Sequence, residues 1–327
     1  MKKSHLILIS MLITVISLAG CKPKTVTAPE TLTPVTINLT YIPNIQFAPL
    51  YVAIEQGYFA EVGLDVTLSY GNEADLVALV GSGNQTFTIA SGEQVLLSRA
   101  QGLPVVYVMA WYANFPVGVA SFAEKNIQSP QDLAGKTVGI PGLYGASYIG
   151  FEALRGVAGL GETDLALKSI GFTQVESLVA RQVDAVVVYV ANEPIVLKSL
   201  GYEVNLLRVA DYLDLVANGL VTNEKTMREE PELVRDVVAA LMKSILFVKG
   251  SPDETYEISK KYVENLADAD ETVQKQILTA SITLWQTERP GYSPLESWEN
   301  MQALLIKIGL LGKPVNLAEA FTNDFID

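Results

Sequence analysis

The sequence predicts an α/β protein of two lobes, each built on a mainly parallel sheet, followed by a helical C-terminal region. Three observations carry that prediction. From Val35 to Asn223 short β-branched runs alternate with segments of helical spacing, the pattern of βαβ units whose sheets are covered on both faces. The alternation starts twice, near residue 35 and again near residue 136, and 327 residues exceed what one hydrophobic core usually serves. Beyond Asn223 the strand pattern stops, and helical periodicity runs on to Gly309.

The first residues belong to neither lobe. "MKKSHLILISMLITVISLAGC" sets two lysines, an apolar stretch and small residues before Cys21, the order of a secretory signal peptide over residues 1–20. The stretch is too short and wrongly flanked for a permanent spanning helix. "LAGC" also resembles a bacterial lipobox, which implies that Cys21 is lipid-modified, begins the mature chain and anchors it to a membrane. The alternative is a buried structural cysteine. Residues 21–34 then read as the anchor and a Pro/Thr tether without apolar periodicity.

The folded part is expected from Val35. "VTINLTY" (35–41) alternates with period two and reads as a strand, "APLYVAIEQGYF" (48–59) as a helix and "GLDVTLSY" (63–70) as a strand. A helix in "EADLVALVGSG" (73–83), the strand "TFTIAS" (86–91), a helix in "GEQVLLSRAQG" (92–102) and the buried strand "PVVYVMAWY" (104–112) follow. Asn114 and Pro116 interrupt the apolar run, so "FPVGVASF" (115–122) is a separate strand. The second series has the strand "KTVGIP" (136–141), a helix from Ala146, a strand near "ALKSIGF" (166–172) and a helix at 173–182. It continues with the strand "DAVVVYV" (184–190), a helix at 193–200 and the strand "YEVNLLRV" (202–209). In the helical region "PELVRDVVAALMKSILFV" (231–248) opens on proline and is amphipathic.

Two stretches are expected to cross between lobes, 115–122 outbound and 215–223 returning. That division gives lobe 1 as 35–118 plus 219–327 and lobe 2 as 119–218. Ligands of open α/β sheets sit beyond the carboxyl ends of the strands, and pockets favour domain interfaces, so the expected site is the cleft between lobes.

Composition removes several chemistries. The single histidine is His5 and the single cysteine Cys21, so loss of residues 1–20 leaves no histidine, and lipid modification of Cys21 leaves no free thiol. Ser-His-Asp and Cys-His nucleophilic sites, H-E-x-x-H zinc sites and Cys/His structural zinc each need those side chains. No calcium loop, P-loop or dinucleotide-binding glycine spacing is present, and neither a metal nor a cofactor is expected. A net charge of −13, about −15 without Lys2 and Lys3, argues against nucleic acid as a partner.

The predicted strand-end loops are aromatic and amide-rich: Asn44, Gln46 and Phe47, then Trp111, Tyr112 and Asn114, then Tyr144 and Tyr148, then Tyr189 and Asn192. Aromatic faces stack on flat rings, and amides read ring N–H and C=O edges. Arg99 is the only basic residue between Thr25 and Glu124, whereas an anion is usually met by Arg or Lys. The combination suits a neutral heterocycle. Each position also has a structural reading. Phe47 and Tyr51 share one helix face, and Tyr51 is assigned to the core. Trp111 ends a buried strand and serves either packing or stacking. Tyr144 lies between Gly142 and Gly145, where the turn itself needs glycine. Glu93 and Glu193 stand at helix starts, as ligand acceptors or as carboxylates favoured by the helix dipole. Asn218, polar among Val, Ala and Leu, needs a partner, either the ligand or a hinge backbone group.

Four stretches carry a family resemblance: "TYIPNIQFAPLYVAIEQGYFAEVGLDVTLSYG", "GEQVLLSRAQGLPVVYVMAWY", "SPQDLAGKTVGIPGLYGASY" and "VDAVVVYVANEPIVLKSLGYEV". They resemble the periplasmic solute-binding proteins of ABC importers, in the branch of thiamine-pyrimidine synthesis proteins and sulfonate and nitrate receptors. The resemblance covers nearly all of the chain after the tether. It implies a type II-like periplasmic-binding-protein fold with a hinge, no enzymatic activity, and a monomer on the extracytoplasmic side of the cell membrane. Its partners would be a small-molecule ligand and the ABC permease and ATPase subunits. "PNIQFAPLYVA", "MAWY", "PGLYGASY" and "ANEP" are most similar to receptors of riboflavin importers, then to hydroxymethylpyrimidine receptors. That implies riboflavin as the transported ligand, with the pyrimidine as the alternative. The branch also holds a fungal pyrimidine synthase, which relies on an active-site histidine and a cysteine-rich motif; the chain after residue 21 has neither.

Overall fold

Each lobe grows from a parallel βαβ series, and a single reversed strand completes each sheet. The computed structural model describes residues 31–326, so the expected signal peptide and Cys21 lie outside the described residues. Lobe 1 begins with β1 (Thr33–Thr40), a 3-10 turn at Ile45–Phe47, α1 (Ala48–Glu55), α2 (Tyr58–Glu61) and β2 (Leu64–Gly71). It goes on through α3 (Glu73–Gly81), β3 (Phe87–Ser91), α4 (Gly92–Ala100) and β4 (Val105–Ala110). Lobe 2 holds β5 (Val117–Phe122), β6 (Thr137–Ile140), α5 (Gly145–Ala158), β7 (Ala166–Ser169), α6 (Gln174–Val179), β8 (Ala185–Tyr189), α7 (Glu193–Ser199) and β9 (Val204–Arg208). The chain returns as β10 (Asn218–Asn223), then α8 (Glu224–Glu229), α9 (Pro231–Gly250), α10 (Pro252–Ser259), α11 (Glu271–Trp285), α12 (Leu295–Lys307) and α13 (Leu317–Ala320). No described helix is long and apolar enough to cross a membrane.

The strand order is β2-β1-β3-β10-β4 in one sheet and β7-β6-β8-β5-β9 in the other. β10 is antiparallel to both its neighbours and β5 to both of its own, so four strands of each sheet share one direction. The reversal has a simple cause. β5 and β10 are the first strands after the chain changes sheet, over 111–116 and 209–217, so each begins at the edge where its neighbours end. All the loops that follow parallel strands, and the starts of both reversed strands, therefore face the same cleft.

One helical expectation needs correction. The helix expected over 48–59 stops at Glu55, because Gly57 takes φ +72° with open space where a Cβ would stand, a left-handed residue that ends the helix. Almost everything from Asn223 to Gly309 is helical, as expected, with gaps between α10 and α11 and between α11 and α12; in the latter Gly291 has φ +79° and a Cβ would come within 2.8 Å of Ile326. That close approach seats the C-terminal residues on lobe 1, where Thr322 N–H donates to the Tyr107 carbonyl at 3.0 Å.

One apolar cluster joins the β1–β3 face to α1, α9, α10 and α11, and a second fills the outer face of lobe 2 under α6 and α7. A third runs from α3 and α4 through β4, β5 and β6 to α5 and α12, so it is continuous between the lobes.

Candidate ligand-binding site

The cleft is lined by what the strand ends deliver. Just after β4 come Trp111 and Tyr112, only 2% and 6% exposed. Their backbone N–H groups both donate to the Asn218 carbonyl, at 2.9 and 3.3 Å, and the Tyr107 hydroxyl donates to the same oxygen at 3.0 Å. The outbound crossing is thereby fastened to the start of β10. A third segment joins them: Ala113 N–H donates to the Leu284 carbonyl at 2.8 Å and Ala110 N–H to the Gly291 carbonyl at 2.7 Å. This brings Trp285, the last residue of α11, against both aromatics. Trp111 meets Trp285 edge-on at 6.0 Å and 75°, and Tyr112 lies parallel to it at 6.5 Å and 4°.

A second group gathers around Tyr189 at the end of β8. Burial raises its phenol pKa well above the ordinary value, and the neighbours that raise it further are Glu73, Tyr112, Glu93 and Glu193. Glu73 and Glu93 flank Ser91, the last residue of β3, whose N–H and hydroxyl both donate to Glu73 Oε1, at 2.6 and 2.7 Å. Glu93 is 1% exposed, and neither carboxyl oxygen has a hydrogen-bond partner among the described residues. Burial first, then the charge of Glu73, pushes its pKa up to about 8. Burial also raises Glu73, and no Lys or Arg acts on either carboxyl.

Unpartnered buried polar atoms concentrate here. Besides Glu93 they include Gln46 Nε2, Trp111 Nε1, Asn218 Oδ1 and Trp285 Nε1. Buried polar groups are normally paired, so the unpaired ones around this cleft make it the candidate site, while Ser121 Oγ and Asn205 Nδ2 are unpaired elsewhere among the described residues. Arg99 does not serve the cleft. It stands at the far end of α4 and bridges Glu224 and Glu319 at 2.9 and 2.7 Å.

The structure brings together Glu93, Trp111, Tyr112, Tyr189 and Asn218 from the predicted set, while Gln46 stands in the 3-10 turn after β1 with its Nε2 unpaired among the described residues. Others have settled partners. Asn44 caps the 3-10 turn, its Oδ1 accepting from Gln46 N–H at 2.9 Å. Phe47 is buried and meets Tyr70 edge-on. Tyr51 is fully buried, stacks on Tyr262 and bonds Tyr70, so it belongs to the core as expected. Glu193 accepts from Tyr189 N–H at 2.9 Å and Asn192 Nδ2 at 3.1 Å, closing the start of α7, and burial pushes its pKa up to about 7.

Two tyrosines do not join the cluster. Tyr144 is 66% exposed, its ring folded over Gly142, because the turn ahead of α5 points it to solvent. Tyr148 is half-buried on α5 among Glu152, Arg155 and Glu162. Sequence reasoning missed Glu73 and Trp285. Glu73 follows a good cap, Asn72, and reads as an ordinary first-turn acid; Trp285 lies far along the chain from the loops it joins.

The lobes touch at the mouth as well. The Tyr41 and Phe172 rings lie 4.9 Å apart, and Glu73 Oε2 is 3.7 Å from where a Gly145 Cβ would stand. Tyr41 has φ +82°, a strained value for a bulky residue, at the end of β1.

Three known proteins are similar to this one in sequence or in fold. Riboflavin-binding protein RibY of Chloroflexus aurantiacus is 38% identical over 309 residues, covering 91% of this chain and 88% of that one. A formylaminopyrimidine-binding protein of Halalkalibacterium halodurans is 32% identical, covering 97% and 98%. The periplasmic aliphatic sulphonate binding protein SsuA of Escherichia coli matches the structure with a TM-score of 0.72 at 12% identity, over 89% of this chain and 92% of that one, a likeness of two-lobed fold alone. The model of the NMT1/THI5 like family matches residues 44–255. With most of the folded chain matched and relatives this similar over nearly its whole length, the chain belongs to the NMT1/THI5-like family.

Proposed function

We propose that the protein is a solute-binding receptor of an ABC importer, which closes its lobes on a flat, uncharged heterocycle, riboflavin, and hands it to a permease. The observation that carries this reading is the cleft itself: aromatic walls at Trp111, Tyr112, Trp285 and Tyr189, unpartnered polar atoms between them and, among the described residues, no Lys or Arg acting on Glu73 or Glu93. Isoalloxazine offers a broad face to the walls and N–H and C=O edges to the polar atoms, and its ribityl hydroxyls can pair with Asn218 and Gln46. The RibY relative supports the same ligand. A sulfonate or nitrate would meet Glu73 and Glu93 without a compensating charge.

A second reading has one observation in its favour. The two carboxyls suit the amino group of an aminopyrimidine, and the formylaminopyrimidine-binding relative is of that kind. Catalysis of the synthase type is disfavoured because the only histidine is His5. The receptor acts as a monomer on the extracytoplasmic face, held by a lipid on Cys21 through the Pro/Thr tether.

Parallel titration of the full chain in detergent with riboflavin, hydroxymethylpyrimidine, taurine and nitrate tests the reading. Riboflavin is expected to bind one to one with quenched fluorescence and to be recovered unchanged. Binding of taurine or nitrate and not riboflavin would overturn it, while pyrimidine binding alone would select the second reading. For the anchor, fatty-acid labelling is expected in the wild type and absent in Cys21→Ser.

A further inference from the structure

Among the described residues, Glu93 is the carboxyl of the cleft that makes no well-formed hydrogen bond. Its neighbour Glu73 takes both donors of Ser91, and Glu193 takes Tyr189 N–H and Asn192 Nδ2. Both oxygens of Glu93 are buried and make no well-formed hydrogen bond among the described residues; the Ser91 hydroxyl and its own backbone N–H lie close enough to favour the anion, but less than burial and Glu73 disfavour it. The groups that face it are an acid from α3 (Glu73), the Ser91 hydroxyl already given to Glu73, and the phenol of Tyr189. Tyr112 and Glu193 stand beyond Tyr189, and Val216 of the returning crossing closes the side next to Gly92. An anion in that position would be desolvated, beside another negative charge, with no cation facing it. A neutral acid avoids all three costs and gains a donor.

Resting on the flat-ring reading of the cleft, we propose that Glu93 meets the ligand as the neutral acid and reads a lactam-type edge. Its O–H donates to a ring carbonyl while its own C=O accepts the adjacent ring N–H. One side chain thus selects ligands that carry a C=O beside an N–H. It rejects anions, and it rejects rings whose edge offers donors only. The raised pKa of about 8, caused by burial and by Glu73, agrees with a proton held through neutral pH. A carboxylic acid kept neutral by its surroundings so that it can donate is known chemistry in other sites.

The proposal predicts a proton linkage with a definite sign. Binding requires the protonated form, so riboflavin affinity should weaken as pH rises past 8, approaching about tenfold per pH unit. In Glu93→Gln the amide cannot titrate, and that slope should vanish; because the ligand's own titration is common to both proteins, the variant isolates the side chain. A wild-type affinity that is flat from pH 6 to 9.5, or a glutamine variant with the same slope, would overturn the proposal.

A ligand-free arm separates this inference from the choice of ligand. The unfolded chain loses the Glu93 proton near 4.5 and the folded chain keeps it to about 8, so the Tm should fall as pH rises through that window. Glu93→Gln should fall less. Infrared difference spectra should show a protonated-carboxyl band at pH 7 in the wild type that Glu93→Gln lacks. If riboflavin fails to bind at any pH but band and Tm slope are present, the ligand reading falls and the neutral acid stands. If the band is absent, the neutral acid falls whatever binds.

Discussion

The two lobes bring unlike halves to the cleft. Lobe 1 supplies Gln46, Glu93, Trp111, Asn218 and Trp285, each with at least one buried polar atom lacking a partner. Lobe 2 supplies groups already occupied with one another: Glu193 holds the Tyr189 N–H and the Asn192 amide, and Tyr144 faces solvent. Unpaired buried groups gain most from a ligand, because leaving them bare costs about 1–3 kcal/mol each. Under the proposed function, the difference gives recognition to lobe 1 and covering to lobe 2, and it ranks substitutions.

The largest effect is expected on the lobe 1 wall. Trp285→Ala removes the ring that faces both Trp111 and Tyr112, and ligand binding should weaken by ~2–4 kcal/mol, as for a buried aromatic anchor. Because Trp285 is also in the core, Trp285→Phe provides the check, keeping a ring and deleting the N–H. A full-affinity Trp285→Ala with an unchanged Tm would break the assignment. Asn218→Ala should come next, at ~1–3 kcal/mol of affinity, measured by the same quenching titration. Its backbone carbonyl, which fastens the crossing, survives the substitution, so Tm should move little. The smallest effect is expected on the covering lobe: Tyr144→Ala should change affinity by less than ~0.5 kcal/mol, as at an exposed position. A loss there as large as at Trp285 would make the lobes equal partners and refute the ranking.

Strand periodicity made the order and kind of most elements legible, because both series alternate cleanly and the outbound crossing carries its own breaks at Asn114 and Pro116. Site residues next to a strand end were legible for the same reason: Glu93 follows β3, Trp111 follows β4 and Asn218 opens β10. What was hidden is proximity that only packing creates. Trp285 reaches the wall through the bonds from Ala110 and Ala113 to the segment after α11, and no local pattern around it announces them. Tyr144 fails in the opposite direction. Its glycine-rich turn was read from sequence, but whether the ring would point into the cleft depends on side-chain direction, which sequence does not carry.

The three-way junction of residues 110–113, Asn218 and the 284–291 segment makes the aromatic wall part of the pivot. In any rotation about the crossings a point moves in proportion to its distance from the axis. If the lobes close on a ligand as proposed, Trp111 and Tyr112 would sit at the fulcrum and travel little, whereas the Tyr41–Phe172 contact would ride at the end of the lever arm. Chemical identity would then be judged where little moves and size where most does: an overlong ligand tail would hold the mouth open while the grip on the ring stayed the same.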